Sequence, residues 1–187
     1  AESISIPLCV AGGIRSKANA FSLLKAGADK LAINTQAIKH PELIREVAHS
    51  FGSQCIAIQL QAKQQPGGRW NCYTLSGREN TGKDVVEWVQ EAEGLGAGEI
   101  VLISVDQDGM QMGPDLKLIR TVVDSVSIPV VAGGGIGSID DIESIIHIGG
   151  AQAVAISHTL HFRCLSINYI KKELRKRGIS VRICDYE

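Results

Sequence analysis

The chain lacks any apolar run near the ~18 residues that a membrane-crossing helix requires, and no basic stretch followed by an apolar segment opens it. A soluble, cytoplasmic protein that is neither membrane-inserted nor exported is expected. An excess of charge is also missing: 19 Lys and Arg stand against 20 Asp and Glu, a net charge of -1. Neither nucleic acid nor an anionic membrane is therefore expected as a partner. The five cysteines, Cys9, Cys55, Cys72, Cys164 and Cys184, form no CxxC pair and are odd in number, which argues against a zinc site or a closed disulfide framework. They read as reduced, mostly buried small hydrophobes. No metal and no cofactor are expected.

What the chain holds instead is a repeat. The phrase Ile6-Pro7-Leu8-Cys9-Val10-Ala11-Gly12-Gly13-Ile14-Arg15-Ser16 returns as Ile128-Pro129-Val130-Val131-Ala132-Gly133-Gly134-Gly135-Ile136-Gly137-Ser138, an offset of about 122 residues. Ala26-Gly27-Ala28-Asp29-Lys30-Leu31-Ala32-Ile33-Asn34 and Gly149-Gly150-Ala151-Gln152-Ala153-Val154-Ala155-Ile156-Ser157 keep nearly the same offset. Two matches in register are an internal repeat. Each copy reads as a strand running into a Gly-rich turn or a polar residue, so the repeated object is a pair of strand–helix units.

The rest of the chain continues that alternation. Strands are predicted at Ile6–Val10, Lys30–Ile33, Cys55–Gln61, Glu99–Ser104, Ile128–Ala132 and Ala153–Ser157. They are short apolar runs without polar alternation, the pattern of parallel strands covered on both faces. Helices are predicted at Lys17–Ala26, Pro41–Phe51, Lys83–Leu95, Leu116–Val126, Ile139–Ile148 and Ser166–Arg177. Pro41 suits a first helical position, and Gly27, Gly52, Gly96 and Gly178 sit where helices stop. Between Lys63 and Gly82, Pro66-Gly67-Gly68 predicts a hairpin turn and Ser76–Gly82 a long polar loop.

The repeat offset contains four strand–helix units, so a doubled half would make eight, the count of a (β/α)8 TIM-type barrel. The chain carries six of the eight, short by about 60 residues at the observed spacing. A single partial barrel spanning residues 1–187 is expected. Its open edges, the strands at Ile6–Val10 and Ala153–Ser157, invite self-association or completion by another segment.

Chemistry in such a barrel sits at the carboxyl ends of the strands. Those positions read, in order, Gly12-Gly13, Asn34-Thr35, Gln61 with Lys63, Asp106 with Asp108-Gly109, Gly133-Gly134-Gly135, and Ser157-His158. Gly-rich turns that open helices present backbone N–H groups and a positive helix end to an anion. Two phosphate sites related by the repeat are predicted, Gly12-Gly13 with Asn34-Thr35 and Gly134-Gly135 with Ser157 and His158. They would suit a substrate with a phosphate at each end. Asp108 either orients substrate or is an ordinary turn residue before Gly109, and Asp106 caps the same turn. His158 either meets phosphate as a cation or fills space, His161 reads as structural, and Lys63 as an electrostatic partner at the mouth. His40, His49 and His147 read as solvated.

With these residues in view, the chain resembles the cyclase subunit family of imidazole glycerol phosphate synthase, HisF, from the third barrel strand to the C-terminus. The marks are Ala28-Asp29-Lys30 with Ile33-Asn34-Thr35, Phe51-Gly52-Ser53-Gln54, Thr81-Gly82, Gly96-Ala97-Gly98-Glu99-Ile100, Asp106-Gln107-Asp108-Gly109, His161-Phe162 and Arg177-Gly178. The sister isomerase family, HisA, shares the Gly-Gly-Ile turn and the Asp-x-Asp-Gly loop, while Phe51–Gln54 and Asn34-Thr35 favour the cyclase. The resemblance implies a (β/α)8 barrel of two homologous halves, with this chain holding units 3 to 8. It also implies a lyase of histidine biosynthesis that uses ammonia from a HisH-type glutaminase on a ribulose nucleotide bearing two phosphates. The glutaminase would sit at the amino-terminal face, where Asp29, Lys30 and Glu99 match residues of the partner surface and ammonia gate.

The same resemblance exposes departures. A general acid–base pair of aspartates is implied, one on the first strand, outside the matched units, and one on the fifth, where Gln61 stands. Glutamine neither accepts nor releases a proton at neutral pH, so Gln61 is a degenerate catalytic position that can still hold substrate. Cys9, Ala11, Ile103, Met110, Gly133 and His158 also depart from the pattern, while Asn34, Thr35, Asp108, Gly109, Gly134 and Gly135 match it. Three readings stay open: a HisF-type cyclase, a HisF-like paralogue delivering ammonia to another acceptor such as a sugar, and an inactive phosphate-binding scaffold.

Overall fold

The computed structural model describes residues 6–182, so Cys184 lies outside the described residues. In chain order the elements are β1 (Cys9–Ala11), α1 (Lys17–Lys25), β2 (Lys30–Ile33), α2 (Thr35–Lys39), α3 (Glu42–Phe51), a 3-10 turn at Ser53–Cys55, β3 (Ile56–Gln64), β4 (Trp70–Thr74) and β5 (Glu79–Asp84). They continue as α4 (Val85–Gly94), β6 (Glu99–Ser104), α5 (Leu116–Val123), β7 (Val130–Gly133), α6 (Ile139–His147), β8 (Ala153–Ala155), α7 (His158–His161) and α8 (Ile167–Lys176). Six strands pair in parallel in the order β1-β2-β3-β6-β7-β8, and β4 and β5 hang from β3 as an antiparallel hairpin. This is the (β/α)8 TIM-type architecture over six parallel strands, and among the described residues β1 and β8 are its two edges.

The helices form where apolar side chains recur every three or four residues. Leu43, Ile44 and Val47 of α3, Val85, Trp88, Val89 and Ala92 of α4, and Ile139, Ile142 and Ile145 of α6 are buried, each set a stripe facing the sheet. They meet Leu31, Ile33, Ile56, Ile58, Leu60, Ile100, Leu102, Val130 and Ala132 in one continuous core. Each fully buried Val, Leu or Ile among them contributes about 1.5–3 kcal/mol through removal from water.

Burial along the strands corrects the expectation that both sheet faces are covered. In β6, Ile100, Leu102 and Ser104 are buried while Glu99, Val101 and Ile103 are only partly so. In β3, Ile58, Leu60 and Ala62 are buried and Gln59, Gln61 and Lys63 are half-buried. The register aligns Gln59 with Val101 and Gln61 with Ile103 on the second face. Helices seal one face, and the other is the half-open interior of the barrel. At the edge strands, Cys9, Ala11 and Ala153 are exposed on that same face.

Several element ends also shift. β1 starts at Cys9 because the Leu8 N–H is taken by the Asp29 carboxylate, at 2.8 Å, rather than by a neighbouring strand. β7 starts at Val130, after Pro129, which has no N–H to give to a ladder. β8 stops at Ala155 because Ile156 and Ser157 turn into α7. The hairpin turn at Pro66-Gly67-Gly68 is present, closed by Gln65 N–H to the Arg69 carbonyl at 2.8 Å. The polar stretch predicted as a loop is largely strand β5, paired with β4. Its lack of apolar residues hid a strand whose residues are exposed or half-buried, none of them fully buried.

Candidate functional site: two clefts at the carboxyl ends of the strands

The repeat is as plain in the structure as in the sequence. Ser16 caps α1 by accepting the Asn19 N–H at 3.2 Å, and Ser138 caps α6 by accepting the Asp141 N–H at 3.2 Å. Asn19 Oδ1 accepts from the Arg15 N–H, and Asp141 Oδ2 accepts from the Gly137 and Ser138 N–H groups. The second is a complete capping box. Asn34 and Ser157 precede α2 and α7 with matching backbone, φ -118°, ψ -89° and φ -124°, ψ -71°.

Each copy opens onto a cleft. The first, about 340 Å³, is lined by Gly12, Gly13, Arg15, Asn34, Thr35, Gln59 and Gln61, with Leu75 and Ser76 from the hairpin. The second, about 110 Å³, is lined by Ile103, Asp108, Gly109, Gln111, Gly134, Gly135, Ser157 and His158. The structure thus gathers each predicted phosphate set into its own cleft. Arg15, Gln59, Ser76 and Gln111 were not singled out by sequence. Arg15 had a visible signal, since it replaces Gly137 of the other copy and adds a cation beside the first turn.

The polar residues are held differently. Asn34 Nδ2 donates to Gln61 Oε1 at 3.1 Å and to the Tyr73 carbonyl at 3.2 Å, and Gln61 Oε1 also accepts the Gly77 N–H at 3.0 Å. The Asn34 Oδ1 atom is buried without a partner, an acceptor that a ligand N–H or O–H would satisfy. Asp108 is exposed on the rim of the second cleft. Asp106 instead accepts the Gln64 N–H at 2.8 Å, which ties the loop after β6 to β3 rather than capping its own turn. Lys63 lines neither cleft, and its Nζ lies 5.8 Å from the Tyr73 ring centroid. The His158 ring packs on Phe162 at 4.5 Å and the His161 ring meets it edge-on at 4.9 Å.

Two neighbouring residues at the end of the sheet, Ile103 and Gly133, fit one another sterically. A Cβ on Gly133 would lie 2.8 Å from the Ala155 carbonyl oxygen and 3.0 Å from Ile103 Cδ1. The isoleucine fills space that a side chain at 133 would need. The Cys9 thiol is pushed up, first by partial burial and then by Glu99, with Lys30 opposing, which lowers its thiolate fraction. Burial, with Asp84 second, pushes the Cys72 thiol up to about 12.

At the opposite face, Lys30 and Glu99 form an ion pair. They begin β2 and β6, the two strands that flank β3. Asp29 uses its carboxylate on the Leu8 N–H.

A parallel sheet of the (β/α)8 barrel type, helix-covered on one face and bearing two repeat-related Gly-turn clefts at its carboxyl ends, defines the class. Within that class the chain belongs to the histidine biosynthesis protein family, whose model matches residues 1–166. It is 47% identical over 186 residues to "Imidazole glycerol phosphate synthase subunit HisF" of Synechococcus sp. (strain CC9605), covering 97% of this chain and 73% of that protein. The subunit of the same name from Synechococcus sp. (strain CC9311) is 46% identical over 186 residues, covering 97% of this chain and 71% of the relative.

Proposed function

We propose that this chain is a HisF-type cyclase subunit of imidazole glycerol phosphate synthase, acting in histidine biosynthesis in the cytoplasm. The observation that supports the reading is the pair of clefts, each lined by one of the two related Gly turns. One substrate phosphate lies against the Gly12-Gly13 N–H groups beside Arg15, Asn34 and Thr35. The other lies against Gly134-Gly135, near Ser157 and His158. Gln61 can hold substrate but transfers no proton. Asp108 is the acidic side chain lining the two clefts, and His158 lines the second cleft with it. The chain corresponds to units 3 to 8 of the barrel. A HisH-type glutaminase docks on the amino-terminal face, around Asp29 and the Lys30–Glu99 pair, and delivers ammonia.

The test is an ammonia-dependent cyclisation assay with and without added glutaminase subunit, on the chain completed by two N-terminal strand–helix units. Turnover is expected, and Gln61→Asp is expected to raise it within the ~10²–10⁴-fold range of general acid–base catalysis. No turnover by either protein overturns the cyclase reading. The second reading, ammonia delivery to another acceptor, is favoured by one observation: the charged pair at the floor is kept while the Gln61 position is neutral. Among the described residues β1 and β8 each pair on one side only, which supports association of the isolated chain. Sedimentation at micromolar concentration is expected to show a dimer or larger species that Val10→Lys weakens, and a stable monomer would refute it.

A further inference from the structure

The Gln61 side chain joins two separate segments through one atom. Its Oε1 accepts from Asn34 Nδ2 at the end of β2, at 3.1 Å, and from the Gly77 N–H in the hairpin loop, at 3.0 Å. Asn34 Nδ2 donates as well to the carbonyl of Tyr73 in β4, at 3.2 Å. The ends of β2 and β3 and the tip of the hairpin are thus tied at one amide oxygen. The segment so held is strained: Leu75, Ser76 and Gly77 follow one another at φ 50°, 59° and 78°. Leucine and serine rarely adopt this left-handed region, and it persists where surroundings over-determine it. Burial is not what holds it, because Leu75 is 56% exposed. On its other side the loop is close-fitted, since a Cβ on Gly77 would lie 2.9 Å from Val105 Cγ1. Leu75 and Ser76 form part of the lining of the first cleft.

We propose that Gln61 is a positioning residue whose amide oxygen latches the Leu75–Gly77 loop in its left-handed backbone, building one wall of the first cleft against a phosphorylated ligand. An uncharged amide oxygen accepts both bonds across the neutral range. It does so without placing a carboxylate beside an anion. The latch rests on hydrogen bonds and backbone geometry alone, and only its ligand rests on the phosphate reading above.

Amide hydrogen exchange by NMR, together with titration of ribose 5-phosphate into the full chain, tests both parts. In the unsubstituted protein the Gly77 N–H is expected to be protected. Gln61→Leu should speed its exchange by about tenfold, the scale of one lost hydrogen bond. It should also weaken ribose 5-phosphate binding, read at Gly12 and Gly13, by about threefold to tenfold, leaving the response at Gly134 and Gly135 unchanged. Gln61→Glu keeps an acceptor oxygen at the same reach and should restore Gly77 protection. An unprotected Gly77 in the unsubstituted chain, or equal exchange in the leucine variant, overturns the latch. Lost protection with undiminished binding overturns its role as a cleft wall. If the leucine variant does not fold, Gly77 protection in the unsubstituted and glutamate proteins decides. Absence of ribose 5-phosphate binding by the unsubstituted chain overturns the phosphate reading and the ligand part of this proposal, while exchange still judges the latch.

Discussion

The two Gly-rich turns descend from one repeated phrase yet are built into the molecule differently. Gly12 and Gly13 lie beside edge strand β1, and a Cβ on either would meet nothing within 4 Å. Gly134 and Gly135 follow β7, inside the sheet, where the Gly113 N–H bonds to the Gly135 carbonyl at 2.9 Å. A Cβ on Gly135 would fall 2.1 Å from the Gly113 oxygen. The first turn is glycine for conformation, the second for conformation and close approach. Charge divides them too: the first cleft has Arg15, and the second has Asp108 facing any anion, with His158 as its basic side chain. A duplicated motif keeps its backbone while its neighbours set how tightly the backbone is held and what it attracts.

The largest effect that would test this difference is steric. Gly135→Ala is expected to destabilise the fold by about 3–4 kcal/mol, from left-handed strain plus overpacking against Gly113. Gly13→Ala, with φ +72° and open space around it, should cost only the strain, about 1–2 kcal/mol. Urea midpoints measure both, and equal losses would erase the distinction.

Next comes the fit beside the second turn. Gly133→Ala should cost about 1–3 kcal/mol by overpacking against Ile103 and the Ala155 carbonyl. Part of that loss should disappear in an Ile103→Val background, since residues in contact are not additive. A double-mutant cycle showing strict additivity would separate the two positions.

The helix caps give a smaller contrast. Asp141→Ala removes the acceptor of the Gly137 and Ser138 N–H groups and should cost about 1–2 kcal/mol, whereas Asn19→Ala, with its longer 3.3 Å bond to the Arg15 N–H, should cost about 0.5–1 kcal/mol. Thermal unfolding ranks them.

A last test compares the exposed thiol of Cys164, between α7 and α8, with the covered thiol of the hairpin. Cys72 is buried and its thiol is pushed up to about 12 from 9.0. Above pH 9 the unfolded chain loses that proton while the folded chain keeps it, so the native state binds more protons and stability falls with rising pH until about 12. The slope is at most about 1.4 kcal/mol per pH unit, and Cys72→Ala should remove this component of the alkaline decline. At pH 8, iodoacetamide should label exposed Cys164 well before Cys72.

Much of this architecture was legible in the chain. The in-register repeat announced paired strand–helix units, and the glycines with Asn34, Thr35 and Ser157 at the strand ends marked the residues that line both clefts. The 3.6-residue stripe of Ile139, Ile142 and Ile145 announced its helix. Strand β5 escaped because Glu79–Asp84 carries no apolar signal and is held by pairing with β4. Arg15 was visible only as a break in the repeat.

What the sequence determined by itself is what short-range pattern encodes: element type, order, the family, and which residues gather at the carboxyl ends. Only the tertiary structure decided that one sheet face stays half-open, that Lys30 pairs with Glu99 across an intervening strand, and that Lys63 turns to Tyr73. It alone showed Gln61 gripping a loop sixteen residues along the chain. Those outcomes depend on which distant groups compete for one hydrogen bond or one volume, and that competition exists only once the chain has brought them together.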